Sequence, residues 1–180
     1  MPQAVTHIIL PLVLVDIYRD YFAKKKFNIR YVLIAGLAGL LPDIDIILAW
    51  ILRLASDISI SSLHRTITHT LFFPLFFLIL FFVSKNHNPK FLKKQKLKLN
   101  YIFLAIAFGA LLHIILDFSF SGSVAILYPL SDFSIGMNLI PLNYFQGTFF
   151  AGLDAIIIVV WLIHEELKHR ISDYIWERKY

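Results

Sequence analysis

The sequence predicts an all-α membrane protein with about five transmembrane helices, organised as a single domain over residues 1–180, and three observations support this. Apolar residues make up 58% of the chain, above the roughly 45–50% of soluble proteins. Charged residues make up 16%, well below the roughly 25% of ordinary globular chains. The stretch "TLFFPLFFLILFFV" (70–83) carries no charge over a length near the ~20 residues a helix needs to cross the bilayer core.

Five spans are expected, at about 4–23, 31–54, 66–83, 101–118 and 149–165. The first is the least apolar, because it carries Asp16, Arg19 and Asp20. The second holds Pro42, which has no amide hydrogen to donate and clashes with the preceding turn, so a break is expected there. The third follows the polar segment "ASDISISSLHR" (55–65), with Ser61 or Ser62 as an N-cap. The fourth contains no charged residue besides Asp117 and one histidine, His113. A long loop, 119–148, separates it from the fifth, and no internal repeat is visible.

Basic residues alternate between the connections. Residues 24–30 hold Lys24, Lys25, Lys26 and Arg30, and residues 84–100 hold Lys85, Lys90, Lys93, Lys94, Lys96 and Lys98. The tail adds Lys168, Arg170, Arg178 and Lys179, whereas 119–148 has neither lysine nor arginine and 55–65 has only Arg65. The positive-inside rule then predicts a multi-pass protein of the cell membrane, with an outside N-terminus and a cytoplasmic C-terminus. On this reading the net charge of +5 reflects topology and implies no nucleic-acid partner. No signal peptide is expected. Cysteine is absent, which excludes disulfides and thiolate metal ligands.

An ionisable side chain facing lipid mid-span costs at least ~2.5–3.5 kcal/mol, so such residues normally face protein or water. In the predicted topology His7, Asp43, Asp45, His64, His69, His113, Asp117 and Asp154 all fall at one depth, in the outer half of the membrane. That shared level, reached from five separate segments, argues for one site. His113 and Asp117 are i and i+4, stacked on one helix face. His64 and His69 lie about 140° apart around a helix, so His64 is expected in the preceding turn and His69 in an early helical turn. Asp43 and Asp45 would diverge on a helix, but a segment broken at Pro42 could aim both inward or at two ions. Imidazole and carboxylate without thiolate suit zinc, manganese or iron, and eight candidates exceed the needs of one ion. His87, His164 and His169 are expected to be solvated, and Asp16, Arg19 and Asp20 to pair locally.

Four motifs, "THIILP" (6–11), "LPDIDI" (41–46), "HRTITHT" (64–70) and "HIILDFSFSG" (113–122), resemble the successive motifs of the membrane-bound metal-dependent hydrolases, the YdjM-like, LexA-regulated group. The resemblance spans roughly 6–160 in the same order, and the histidine and aspartate pattern is also similar to that of zinc-dependent phospholipase C. It implies metal ligation by His7, Asp43, His64, His69, His113 and Asp117, with Asp45 and Asp154 more weakly implied. Thr70 stands where that family usually has serine, and the hydroxyl is kept. The resemblance supplies no substrate.

Arg65 and His69 are i,i+4 neighbours at an expected helix N-terminus, where backbone amides already favour anions. Metal ions, Arg65 and helix N-termini together suit a phosphoester, and a site opening within the bilayer suits a lipid substrate. The expected function is therefore metal-dependent hydrolysis of a phosphoester-containing lipid with one or two zinc ions. Asp45 or Asp154 would accept the proton of the activated water, and Arg65 would hold phosphate. Two alternatives remain: a non-catalytic metal-binding scaffold or sensor, and a divalent-metal transporter. A transporter needs polar residues continuing to the cytoplasmic face, and "FFLILFF" and "YIFLAIAF" are nearly dry. Head group, metal identity, oligomeric state and physiological role are not encoded in these patterns.

Overall fold

The computed structural model describes residues 4–54, 68–120, 122–140 and 145–171. Their regular structure is helical apart from one isolated antiparallel bridge between Val124 and Ile135. The α-helices are α1 (Ala4–Ile17), α2 (Arg30–Ala38), α3 (Ile44–Arg53), α4 (Phe72–Val83), α5 (Lys90–Lys94), α6 (Leu99–Phe120) and α7 (Phe145–His169). A π turn (Tyr18–Phe22) extends α1, and a 3-10 turn (Ser84–Asn86) extends α4.

Among the described residues, α6 and α7 alone are long and apolar enough to cross a membrane as single helices. The other three expected spans are shorter or divided. The first keeps α-helical hydrogen bonding only to Ile17, after which the Ala23 amide donates to the Tyr18 carbonyl at 2.9 Å, five residues back. The second splits into α2 and α3 around turns at 39–43, because Pro42 supplies no amide and disfavours a helical conformation just before it. The third begins at Phe72, since 68–71 form turns and a bend, and Pro74 sits in its first turn, where a missing amide is harmless.

Helix α6 is the centre of the packing and touches α1, α2 and α4. Its neighbours run in alternating directions. Helix α4 is antiparallel to it, with Phe77 against Phe103 and Phe81 against Tyr101. Helix α2 is parallel to it, from the Lys98 amide donating to the Tyr31 hydroxyl at 2.7 Å up to the His113–Gly39 contact. Helix α1 is antiparallel to α2 and parallel to α7, which it meets at Thr6–Asp154, Asp16–Trp161 and Asp20–His169. The basic connections meet at one end, where Arg30 Nη1 donates to Gln95 Oε1 at 2.6 Å.

Helices surrounded by lipid gain little from hydrophobic association and depend on close contact between small residues. Here Gly109 lies against the Ala35 carbonyl, the Ala38 side chain and the Gly39 amide, and Gly36 lies against Ile8 and Leu12. A side chain at Gly39 would overlap the His7 carbonyl. These contacts draw α1, α2 and α6 together at the level of His7 and His113. The 122–140 segment folds back over the same end, with Met137 donating to the Phe118 carbonyl at 2.8 Å and Leu71 to that of Ile126 at 2.9 Å. Outside the bundle α3 exposes Ile47, Leu48, Trp50 and Ile51, and α7 exposes Ile156, Val159, Val160 and Ile163. Apolar faces of that extent suit contact with lipid.

Gly109→Val should force α2 away from α6 and destabilise the bundle by about 1–3 kcal/mol. Gly152, on α7 with nothing near its missing Cβ, provides the control, and Gly152→Ala should change stability by no more than ~1 kcal/mol. Thermal unfolding in detergent measures both, and equal midpoints for the two variants would contradict this packing.

Candidate functional site

Helix α6 carries His113 and Asp117 one turn apart on its buried face. His113 Nδ1 lies 2.6 Å from the Gly39 carbonyl oxygen. A carbonyl can only accept, so Nδ1 carries the hydrogen and Nε2 presents a lone pair on the opposite edge of the ring. The turns after α2 then bring Asp43 to the N-cap position of α3. Its side chain makes no capping bond and instead faces the histidines. His69 is fully buried in the turn preceding α4. That corrects the expected early helical turn, since α4 begins only at Phe72.

Four atoms from these residues converge. His69 Nε2 and His113 Nε2 are 3.1 Å apart. Asp43 Oδ1 is 3.4 Å from the former and 3.5 Å from the latter. Asp117 Oδ2 is 3.6 Å from His69 Nε2 and 3.8 Å from His113 Nε2. Four ligands tetrahedrally placed around zinc at 2.0–2.1 Å would be separated by about 3.3–3.4 Å along every edge. The three edges joining Asp43, His69 and His113 lie near that length, so this triad fits the face of a metal site, with Asp117 Oδ2 beside its two histidines.

The other oxygen of Asp117 faces elsewhere, with Oδ1 3.5 Å from His7 Nε2. His7 is buried on α1, its ring stacked on that of His113 at 3.9 Å, so His7, His113 and Asp117 form a second ligand triad sharing two members with the first. Asp45 diverges from Asp43, as two residues spaced i,i+2 near a helix start should. Its Oδ2 lies 3.3 Å from His69 Nδ1 and accepts a hydrogen bond from Thr68 Oγ1 at 2.8 Å. Asp45 thus stands behind His69, on the ring edge away from the four-atom cluster, a position that orients the imidazole. Asp154 of α7 accepts a hydrogen bond from Thr6 Oγ1 at 3.0 Å, beside His7. Its Oδ1 is buried without a hydrogen-bond partner among the described residues, as is His7 Nδ1.

His64 and Arg65 lie outside the described residues. The sequence offered no signal for Thr6, Thr68 or the Gly39 carbonyl, since each acts through a neighbour that only the fold brings near. His87 is exposed, as expected. His164 and His169 are not simply solvated. Parallel packing of α1 and α7 sets them against Asp20 and Glu165, while Arg19 pairs with Asp16 and Asp20 as anticipated.

A family model described as YdjM inner membrane protein matches residues 1–175. The chain belongs to this family. Membership agrees with the two membrane-length apolar helices, and together they make the chain a YdjM-family membrane protein. No curated protein and no solved structure matches it.

Thr6→Val should leave the buried Asp154 carboxylate without its donor, at a cost of about 1–3 kcal/mol, whereas Thr6→Ser should restore most of that loss. Melting curves of the two variants in detergent measure it, and identical curves would remove Thr6 from the account.

Proposed function

We propose that this YdjM-family protein is a membrane-embedded, metal-dependent hydrolase acting on a phosphoester-containing lipid near the outer leaflet. One observation carries the reading: the convergence of Asp43, His69 and His113 into one ligand triad, with His7, His113 and Asp117 forming a second beside it. With the His113 hydrogen committed to Gly39, His113 Nε2 is left to present a lone pair that suits a divalent cation. Zinc suits the set best, and manganese or iron are alternatives. The two oxygens of Asp117, one facing His7, support a count of one or two ions. A bound ion would supply Lewis acidity toward a phosphoester oxygen and lower the pKa of a bound water.

The chain's own groups would do the rest. Asp45 holds the His69 ring through Nδ1, and Thr68 holds Asp45. Asp154, with one oxygen held by Thr6, would take a proton on the other. Arg65, which precedes the His69 turn in sequence, would grip phosphate bidentately. The helix directions fit five passages with the N-terminus outside: α1 and α7 run one way with α4, and α2 and α6 the other. In that arrangement the histidine cluster lies at the end away from the basic connections, within reach of a lipid head group.

A non-catalytic metal-binding scaffold or sensor has one observation in its favour, because four protein ligands are typical of a closed structural zinc site. Against it, the Asp43 side chain is 27% exposed, so water reaches the cluster at that ligand. Transport is disfavoured by the dry runs from Ile8 to Val15 on α1 and from Ala155 to Val160 on α7.

His113→Ala and Asp117→Ala should each remove the metal equivalent held at the His113 cluster, and Asp45→Asn should weaken that binding about 10–100-fold. Elemental analysis decides this, and a metal content unchanged from wild type in both alanine variants would sink the centre.

Arg65→Lys should keep the metal but lower turnover about 10–100-fold, the loss of a bidentate contact worth roughly 1.4–2.7 kcal/mol. The assay is chelator-sensitive release of phosphate or a phosphorylated head group from a mixed-lipid extract. Metal-loaded protein that releases nothing from any lipid class would favour the scaffold or sensor.

A further inference from the structure

A second set of ligand-type side chains meets at the far ends of α1 and α7, roughly 20 Å along α1 from His7. On the π turn, Asp20 Oδ2 lies 2.7 Å from His169 Nε2 and 3.9 Å from His164 Nε2. Glu165 Oε1 lies 3.4 Å from His164 Nδ1 and 3.9 Å from His169 Nε2. Glu165 and His169 are i,i+4 on one face of α7. Asp16, fully buried, has an oxygen within 4.8 Å of ligand atoms of His164 and Glu165.

A charge clamp accounts for part of this arrangement. Arg19 Nη1 lies 3.4 Å from Asp16 and 3.3 Å from Asp20, and Lys26 Nζ lies 3.2 Å from Asp20. It does not reach Glu165, whose carboxyl shares a hydrogen bond with that of Asp16. The Glu165 side chain is nine-tenths buried and turned toward the histidines. Its Oε1 has no hydrogen-bond partner among the described residues, nor has the buried His164 Nδ1. Burying polar atoms without partners is costly, and both of these face the same small space.

We infer that Asp20, Glu165 and His169, whose ligand atoms lie within 4.8 Å of one another, form a second divalent-cation site, which ties the π turn of α1 to the end of α7. One imidazole and two carboxylates without thiolate suit zinc or manganese. These three residues share nothing with the His113 cluster, so the inference stands apart from the hydrolase reading. One ion here would satisfy the Glu165 oxygen and hold together two helices that meet near this end mainly through polar contacts.

The test uses the full chain in detergent, stripped with chelator and then titrated with Zn2+, with Cu2+ for spectroscopy. A His113→Ala/Asp117→Ala background isolates the second site. It should still bind one tight equivalent, and the Cu2+ paramagnetic resonance should show one imidazole nitrogen. Glu165→Gln, which keeps size and hydrogen bonding, should weaken that binding about 10–100-fold, and His169→Ala should abolish it. A background protein that binds no ion, or binds it equally well with Glu165→Gln, overturns the site and leaves a charge clamp only. If the background does not fold, Glu165→Gln is read in the wild-type chain. There, loss of one equivalent supports the site and unchanged stoichiometry overturns it.

Discussion

The hydrogen bond from His113 to the Gly39 carbonyl is the contact on which the rest of the structure depends. It forms only because α2 ends against α6 at backbone distance, which Gly109 permits on one side and Gly39 on the other. It fixes the ring so that Nε2 points into the space shared with His69, Asp43 and Asp117. It also anchors the chain four residues before Asp43, so the break at Pro42 releases that carboxylate at the right depth. Packing and chemistry are therefore one constraint. A bulkier residue at either glycine would move the helix and turn the imidazole with it.

Surrounding lipid explains the arrangement of the polar groups. Ionisable side chains that would be costly against hydrocarbon gather in two clusters, one around His113 and one around Glu165, both facing protein. Between them α1 and α7 present only aliphatic residues and a proline to one another's neighbourhood. The apolar side chains left over cover the outside of α3 and α7, where a water-soluble protein would place charge.

Much of the His113 cluster was legible in the sequence because helical periodicity is a local rule. His113 and Asp117 had to share a face, and Pro42 had to break the second apolar segment. The different duties of Asp43 and Asp45 were not legible. Both sit in one short motif, and only the position of the His69 ring decides which carboxylate meets Nε2 and which meets Nδ1. Hydropathy also overstated the continuity of the spans. It registers apolar composition, and cannot register that 68–71 turn back or that hydrogen bonding in α1 slips to i+5 beyond Ile17. His164 and His169 read as solvated because their partners lie about 145 residues away, on a helix whose parallel packing leaves no trace in sequence spacing.

The docking of α7 almost wholly on α1 has a consequence for biosynthesis. A chain is made from its N-terminus, at about 5–20 residues per second. His7, Asp43, Asp45, His69, His113 and Asp117 have all been synthesised before the first residue of α7 is added. The four-atom cluster can therefore assemble on α2, α4 and α6, with His7 arriving on α1, while the last helix is still unmade. When α7 enters, it completes both polar clusters in one movement, with Asp154 reaching Thr6 at one end and Glu165 and His169 reaching the Asp20 turn at the other. The last helix acts as a latch on a bundle that is already built.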